Sequence, residues 1–277
     1  MSHTKLVYGK DDVLFGAIER HQGNKPFGTF LDAGTGVHSL RWIATLGEKG
    51  MTEFTAVTAD ANMKKSVENE TRQLGVTGNI AMGNWFSETE PLVFDEMFDT
   101  ILCDYLVGAM DGFSPYKQDL MLPKLAALLN PGGRLYIVGL QPIPDRVDDP
   151  AGNIICRVRQ VRDACILLAG HRCYREYPSD WMERQVENIR DLRLLETNKF
   201  PILYRHATIV RQINVGRSKF QLFPTPELAD SMAKVLDELE KESLEATQKS
   251  PNGAITLGFD YVVCAEKIAT NGGNDEL

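Results

Sequence analysis

The chain has 277 residues, of which 43% are hydrophobic and 25% are charged, a composition typical of a globular protein. Its formal net charge is −8. An acidic chain is poorly suited to nucleic acid as a main partner, because binding to phosphates draws much of its strength from clustered lysine and arginine. A small molecule is therefore the expected partner.

Further residue types bear on disulfides, metal sites and cellular location. The five cysteines are an odd number without a C-x-x-C pair, which argues against a disulfide framework and a zinc site. None of the five histidines has a metal-binding spacing, so no metal is predicted. No apolar window approaches the length of a membrane span, and the first ten residues lack the apolar core of a signal peptide. We expect a cytoplasmic protein without a membrane partner, and the sequence leaves its oligomeric state open.

Residues 1–29 are predicted to form a helical lead-in, because their apolar residues recur at helical spacing. The next stretch, from Phe30 to Leu40, is typical of a strand, a tight turn and the start of a helix. Gly34 and Gly36 are expected to give this turn positive φ angles and to let a ligand approach the backbone. The turn is also expected to offer free backbone N–H groups to that ligand.

Strands and helices are predicted to alternate from residue 30 to about residue 140. The further strands are expected at Phe54–Asp60, Asn79–Trp85, Phe98–Asp104 and Arg134–Leu140, and the helices between them at Lys64–Leu74 and Asp119–Leu129. This alternation predicts a doubly wound α/β fold with right-handed crossovers between parallel strands. In such a sheet the ligand binds at the carboxyl ends of the strands.

The motifs at these strand ends resemble those of class I S-adenosylmethionine-dependent methyltransferases. The run from Asp32 through Gly34 to Gly36 looks like the D-x-G-x-G motif of that family, and Leu129 to Gly133 looks like its L-x-P-G-G turn. The dinucleotide fingerprint G-x-G-x-x-G is incomplete, because Ser39 stands at the position of its third glycine. The resemblance covers residues 30 to about 140.

This resemblance implies a Rossmann-like methyltransferase domain over residues 30–277 that binds S-adenosylmethionine. The implied cofactor-binding residues are Asp32, Gly34, Thr35, Gly36, Asp60, Ala61, Asn84, Trp85 and Asp104. Asp60 suits the ribose hydroxyls, and Asn84 with Trp85 suits the adenine, although Trp85 is equally consistent with core packing. Asp104 and Tyr105 are the candidate catalytic residues, facing the acceptor or the methionine amine.

The family pattern also implies a mostly parallel seven-stranded sheet with helices on both faces and two surplus helical insertions that form a lid. Strand six is predicted at Leu192–Thr197 and strand seven at Phe259–Lys267, with insertions at about 142–179 and 201–258. Within and between the insertions, helices are predicted at Ile154–Ala169, Asp180–Ile189 and from Pro226 to about Thr247. Residues 206–222 are consistent with helix or strand, and helix is favoured.

The substrate candidates are Tyr8, Tyr116, Arg172, Arg175 and Trp181. Arginines of the basic segment between Arg157 and Arg175 either clamp an anionic acceptor or form a solvated helix face that pairs with acids. The predicted function is methyl transfer from S-adenosylmethionine to a small molecule, which could be anionic. The alternatives are a nicotinamide-dependent oxidoreductase, an aminopropyl transferase, or a non-catalytic relative of the fold.

Overall fold

The computed structural model describes residues 12–268, which contain nine α-helices and seven β-strands. The helices are α1 (Val13–Gln22), α2 (Val37–Ile43), α3 (Ala61–Leu74), α4 (Leu106–Ala109), α5 (Met121–Ala127), α6 (Pro150–Leu168), α7 (Ser179–Glu187), α8 (His206–Arg217) and α9 (Pro226–Lys249). The strands are β1 (Gly28–Asp32), β2 (Met51–Thr58), β3 (Asn79–Met82), β4 (Phe98–Asp104), β5 (Leu129–Leu140), β6 (Leu192–Arg205) and β7 (Ala254–Lys267). Within the described range, no helix combines the length and the apolar character needed to cross a membrane. Tyr8 lies outside the described residues.

The seven strands form one sheet in the order β3-β2-β1-β4-β5-β7-β6. The pairs among β1 to β5 are parallel, and β7 pairs with β5 in the antiparallel direction. The predicted α/β fold with a seven-stranded sheet is therefore confirmed, and the sheet is mixed. Its strand order reverses between β1 and β4, which is the position where sheets of this kind bind ligands.

Helices α1 and α2 pack together on one face of the sheet. Asp12 begins α1, because its Oδ1 accepts the backbone N–H groups of Leu14 and Phe15 at 2.9 and 3.1 Å. Phe15 stacks on Trp42 of α2 with the ring centroids 4.4 Å apart. The same buried cluster includes side chains from β1, β4, β5 and β7. The beginning of α1 is thereby held against the sheet.

Contacts within the chain define two compact units. The first comprises residues 12–140, 176–200 and 260–268 of the described range, and the second comprises residues 141–175 and 201–259. The core of the second unit is formed by α6, α8 and α9, with Ile155, Ile213 and Leu236 among its buried side chains. The predicted insertions lie mostly within this second unit, and their role as a lid stays a prediction.

Several element boundaries differ from the sequence prediction. Strand β3 ends at Met82 rather than Trp85, because the chain turns at Trp85 and Phe86, where the Ser87 N–H donates to the carbonyl of Asn84. Strand β6 continues to Arg205, eight residues beyond the predicted end at Thr197. Residues 206–222, for which helix was favoured over strand, begin with helix α8, so the helix prediction is confirmed through Arg217.

Candidate functional site

Two carboxylates lie side by side at the carboxyl ends of the central strands β1 and β4. Asp32 is in register with Leu102 of β4. Asp104 follows Leu102 by two residues, and residues two apart on a strand project from the same face of the sheet. Asp32 and Asp104 therefore occupy the same face at the point where the strand order reverses.

Asp260 and Asp12 lie at the same end of this face. Val138 of β5 is in register with Asp104 on one side and with Val262 of β7 on the other. Asp260 precedes Val262 by two residues and therefore shares their face. The negative charges of Asp12, Asp32 and Asp260 all act on Asp104. We refer to these four side chains as the carboxylate cluster.

The environment of the cluster favours protonated carboxyl groups. Burial raises the pKa of Asp32 to about 6, against the lowering effects of the Ser39 hydroxyl, the Thr35 hydroxyl and the Gly34 N–H nearby. Burial raises the pKa of Asp104 to about 8, and the three other carboxylates of the cluster add to the shift. The pKa of Asp260 is also raised by burial, although a hydrogen bond from Tyr105 lowers it. The site thus favours a ligand that brings positive charge.

Two buried polar atoms of the turn after β1 lack a hydrogen bond of good geometry among the described residues, although each has a polar group nearby. They are Oδ1 of Asp32, whose side chain is fully buried, and Oγ1 of Thr35, a residue that is 6% exposed. The other carboxylate oxygen of Asp32 accepts a hydrogen bond from the Ser39 hydroxyl at 2.7 Å. A buried polar atom without a partner costs about 1–3 kcal/mol. Such atoms indicate where a ligand or an ordered water binds.

The predicted positive φ angles of Gly34 and Gly36 are wrong, because neither glycine has one. Gly34 is required for a different reason, since a Cβ at this position would lie 3.0 Å from Cδ1 of Leu106. A Cβ on Gly36 would meet no atom within 4 Å. The turn therefore needs Gly34 for the close approach of the segment after β4.

The prediction of free backbone N–H groups in this turn is also wrong for three residues. The N–H groups of Ala33, Thr35 and Gly36 donate to acceptors inside the protein at 2.9, 2.8 and 3.1 Å. Phosphate binding in a glycine-rich turn depends on several backbone N–H groups that point at the ligand. The turn is therefore poorly suited to a pyrophosphate.

Solved structures share this architecture, whereas no protein-family model and no curated protein sequence matches the chain. A putative methyltransferase from Bacillus halodurans, BH2331, is similar with a TM-score of 0.58 and 15% identity over 92% of this chain and 98% of that chain. Coclaurine N-methyltransferase, bound to N-methylheliamine and SAH, has a TM-score of 0.51 and 15% identity over 92% of this chain and 71% of that chain. The mycolic acid cyclopropane synthase CmaA1, complexed with SAH and CTAB, has a TM-score of 0.52 and 14% identity over 91% of this chain and 84% of that chain.

The chain has the fold of the class I methyltransferases. In this class I fold, the carboxyl ends of β1 and β4 flank the position where the strand order reverses. The carboxylate cluster lies at those ends. The residues that follow β2 and β3 lie after neighbouring strands of the same sheet and include the other predicted cofactor-binding residues.

Asp60 follows β2 and begins helix α3. Its Oδ1 accepts the backbone N–H of Met63 at 2.6 Å, and the side chain is exposed. Ala61, the first residue of α3, is also exposed. One carboxylate oxygen of Asp60 thus stabilises the helix while solvent still reaches the carboxylate. A contact between Asp60 and ribose hydroxyls stays a prediction.

Asn84 uses both ends of its side-chain amide within the protein. Its Oδ1 accepts hydrogen bonds from the Ser114 hydroxyl at 2.6 Å and from the Phe86 N–H at 3.0 Å. Its Nδ2 donates to the carbonyl of Phe113 at 2.9 Å. Asn84 therefore connects the loop after β3 to the loop after β4, and its predicted contact with adenine stays a prediction.

Trp85 is a buried residue with 5% exposure. Its indole N–H donates to the carbonyl of Ala33 at 2.7 Å, and its ring stacks on Phe94 with the centroids 5.6 Å apart. This geometry agrees with the core-packing alternative. It also connects the loop after β3 to the turn after β1.

Tyr105 adopts a backbone conformation that is uncommon for a bulky residue, with φ of +47°. Its hydroxyl donates to Oδ1 of Asp260 at 2.8 Å. Burial raises the pKa of Tyr105 far above its ordinary value, with the charge of Asp260 as a further cause. The hydroxyl therefore remains protonated and acts as a donor that holds Asp260, rather than as a base.

The remaining substrate candidates occupy several environments. Tyr116 is 83% exposed and has a φ of +67°. Arg172 and Arg175 are exposed in the segment between α6 and α7. Trp181 in α7 packs on Tyr177 with the ring centroids 4.4 Å apart. Their contacts with a substrate stay predictions.

Three arginines of the basic segment form ion pairs within the second unit. The pairs are Arg157 with Glu242, Arg159 with Asp145 and Arg162 with Asp163, at 2.5, 2.6 and 2.7 Å. For these three arginines the structure agrees with a solvated helix face that pairs with acids. They are thus engaged without an anionic substrate.

Sequence reasoning did not identify Asp12 or Asp260 as site residues, and it gave Ser39 no role in the site. A signal was present for Asp12, because an aspartate directly before a helical pattern is a preferred N-cap. Asp260 carried no local signal, since its place in the cluster depends on the register between β5 and β7. Ser39 was noted only as a missing glycine, whereas its hydroxyl holds Asp32.

Proposed function

We propose that this protein is a methyltransferase that transfers the methyl group of S-adenosylmethionine to a small molecule. The class I fold supports methyl transfer in general. S-adenosylmethionine carries a sulfonium, an ammonium and one carboxylate, so its net charge is positive. The observation that carries the proposal is the carboxylate cluster beside the atoms of Asp32 and Thr35 that lack a hydrogen bond of good geometry, which suits a cationic ligand.

Each residue near the turn would have a separate task. The exposed carboxylate of Asp60 would accept hydrogen bonds from ribose hydroxyls, and Asp104 would face the positive charge of the methionine end. Gly34 would let Leu106, two residues after Asp104, pack closely against the turn. The bound cofactor supplies an electrophilic methyl group. The protein's contribution is then to hold the acceptor in line with that methyl group, an effect that can lower a barrier by several kcal/mol.

The same observations count against a nicotinamide-dependent oxidoreductase. A dinucleotide brings a doubly negative pyrophosphate, which the carboxylate cluster would repel. The backbone N–H groups of Ala33, Thr35 and Gly36 are already used. Ser39 also replaces the glycine that completes the dinucleotide fingerprint.

Calorimetric titrations with S-adenosylmethionine, S-adenosylhomocysteine and NAD would test the proposal. We expect both sulfur compounds to bind and NAD not to bind. Binding of NAD without binding of S-adenosylmethionine would overturn the proposal. Decarboxylated S-adenosylmethionine in the same series would reveal an aminopropyl transferase, because it would then bind more tightly than S-adenosylmethionine.

A further inference from the structure

The carboxylate cluster holds more acidic groups than are needed to bind one cofactor with a single net positive charge. It has four carboxyl groups, and a bound cation would lower the raised pKa values of Asp104 and Asp260 so that these groups ionise. Asp12 is engaged by the start of α1 and by His38, whose Nε2 lies 2.7 Å from its Oδ2. Asp32 is fully buried against Ser39. Asp104 and Asp260 are therefore the members of the cluster whose charge remains for ligands.

Asp260 is held in a fixed position with part of its carboxylate available. Its Oδ1 accepts a hydrogen bond from the Tyr105 hydroxyl at 2.8 Å. Within the described residues, Oδ2 of Asp260 has no side-chain hydrogen bond, and the residue is only partly buried. Asp260 can therefore accept a hydrogen bond from a ligand without giving up the one from Tyr105.

The charged groups around Asp260 would stabilise a cation and repel an anion. The negative charge of Asp12 raises the pKa of Asp260, and the negative charge of Asp260 raises the pKa of Asp104. Among the described residues, the ion pair of Asp12 with His38, when His38 is protonated, is the only one that brings an opposite charge to these carboxylates. Among the described residues, no lysine or arginine lowers the pKa of Asp32, Asp104 or Asp260.

We propose that the methyl acceptor is an amine, which binds as its ammonium ion to the carboxylate of Asp260 beside Asp104. The inference rests on the proposed function and names the substrate class of the same site. It replaces the expectation of an anionic acceptor. Oδ1 of Asp32 and Oγ1 of Thr35, both in residues more than nine-tenths buried, lack a hydrogen bond of good geometry and mark the turn beside Asp104 as a place where a ligand binds.

The reaction balances with these groups. The ammonium ion of the acceptor gives one proton to the carboxylate of Asp260 or Asp104, which frees the nitrogen lone pair. This lone pair forms the new bond to the methyl carbon while the carbon–sulfur bond breaks and its electrons stay on sulfur. The products are the methylated ammonium ion and S-adenosylhomocysteine, and the protonated carboxyl group returns its proton to water. A carboxyl group with a pKa near the working pH is suited to accept and release that proton.

The test uses the protein saturated with S-adenosylhomocysteine and three probes of similar shape, namely benzylamine, benzyl alcohol and benzoate. Binding is measured by ligand-observed NMR at about pH 7, where benzylamine is a cation and benzoate an anion. We expect benzylamine to bind most tightly and benzoate least tightly. Asp260→Asn should weaken benzylamine binding at least about fivefold, or roughly 1 kcal/mol. Asp95→Asn, which removes one carboxylate at an exposed position, should leave it unchanged.

Tyr105→Phe provides a second variant if Asp260→Asn does not fold. It removes the hydrogen bond that lowers the pKa of Asp260, so benzylamine binding should require a higher pH than in the wild-type protein. A merely structural role of Tyr105 would not shift the pH midpoint. Equal or tighter binding of benzoate, undetectable binding of benzylamine, or no response to either variant would overturn the inference. If S-adenosylhomocysteine itself does not bind, the proposed function fails as well.

Discussion

Replacing Asp104 by asparagine is expected to stabilise the ligand-free protein at neutral pH. Burial and the other carboxylates raise the pKa of Asp104 from 3.8 to about 8, so the folded chain retains a proton that the unfolded chain has lost. The free energy of unfolding therefore falls as the pH rises from about 4 to about 8. Each pKa unit corresponds to about 1.4 kcal/mol, so at about pH 7 the ionisation of Asp104 lowers the free energy of unfolding by roughly 4 kcal/mol. Because solvent reaches the partly buried carboxyl group and screens it, we expect about 2 kcal/mol.

Urea denaturation at about pH 5 and pH 8 would measure this effect, since the linear extrapolation gives the free energy of unfolding in water. The stability advantage of Asp104→Asn over the wild-type protein should grow between the two pH values. Asp95→Asn, at an exposed position, should show no such growth. The reasoning is refuted if Asp104→Asn is no more stable than the wild-type protein at pH 8, or if its advantage is the same at both pH values.

Three further predictions concern the cofactor. Asp60→Ala should weaken S-adenosylmethionine binding by about 1–3 kcal/mol, because a charge-assisted hydrogen bond is lost; unchanged affinity in calorimetry with an intact circular dichroism spectrum would exclude the ribose contact. Gly34→Val should nearly abolish binding, since its Cβ would lie 3.0 Å from Leu106 and would displace the segment that follows Asp104; a Cβ at Gly36 meets no atom within 4 Å, so Gly36→Ala should leave the stability unchanged. Binding of S-adenosylmethionine at about pH 7 should release protons, because a cation lowers the raised pKa of Asp104. Calorimetry in buffers of different ionisation enthalpy would detect the release, and S-adenosylhomocysteine, which lacks the sulfonium charge, should release fewer; equal release by both would contradict this prediction.

Local sequence patterns were sufficient for the elements of this fold. The strand before Gly34 and the helix after it follow from apolar periodicity and turn chemistry, which act between residues close together in the chain. Helix α9 begins as expected, because the Thr225 side chain accepts the N–H of Leu228 and Pro226 occupies the first helical position. Because strands that alternate with helices pair in parallel through right-handed crossovers, few sheet topologies are compatible with this sequence.

The ends of the elements were predicted less well. Strand β3 was extended through Trp85, whose apolar ring looks like a continuation of the strand. In the structure that ring packs against Phe94 and its N–H reaches the carbonyl of Ala33. The sequence cannot distinguish a buried tryptophan in a loop from one in a strand, because burial depends on what packs against it.

The sequence by itself determined the order of the strands and helices and pointed to the strand ends where Asp32, Asp60 and Asp104 stand. Only the tertiary structure decided which charges meet there. The Tyr105 hydroxyl bonds to a carboxylate 155 positions further along the chain, and Asp12 enters the cluster because α1 packs on the sheet. Strand register and helix packing set these distances, and charges that are far apart in sequence interact only through the distances that the fold gives them.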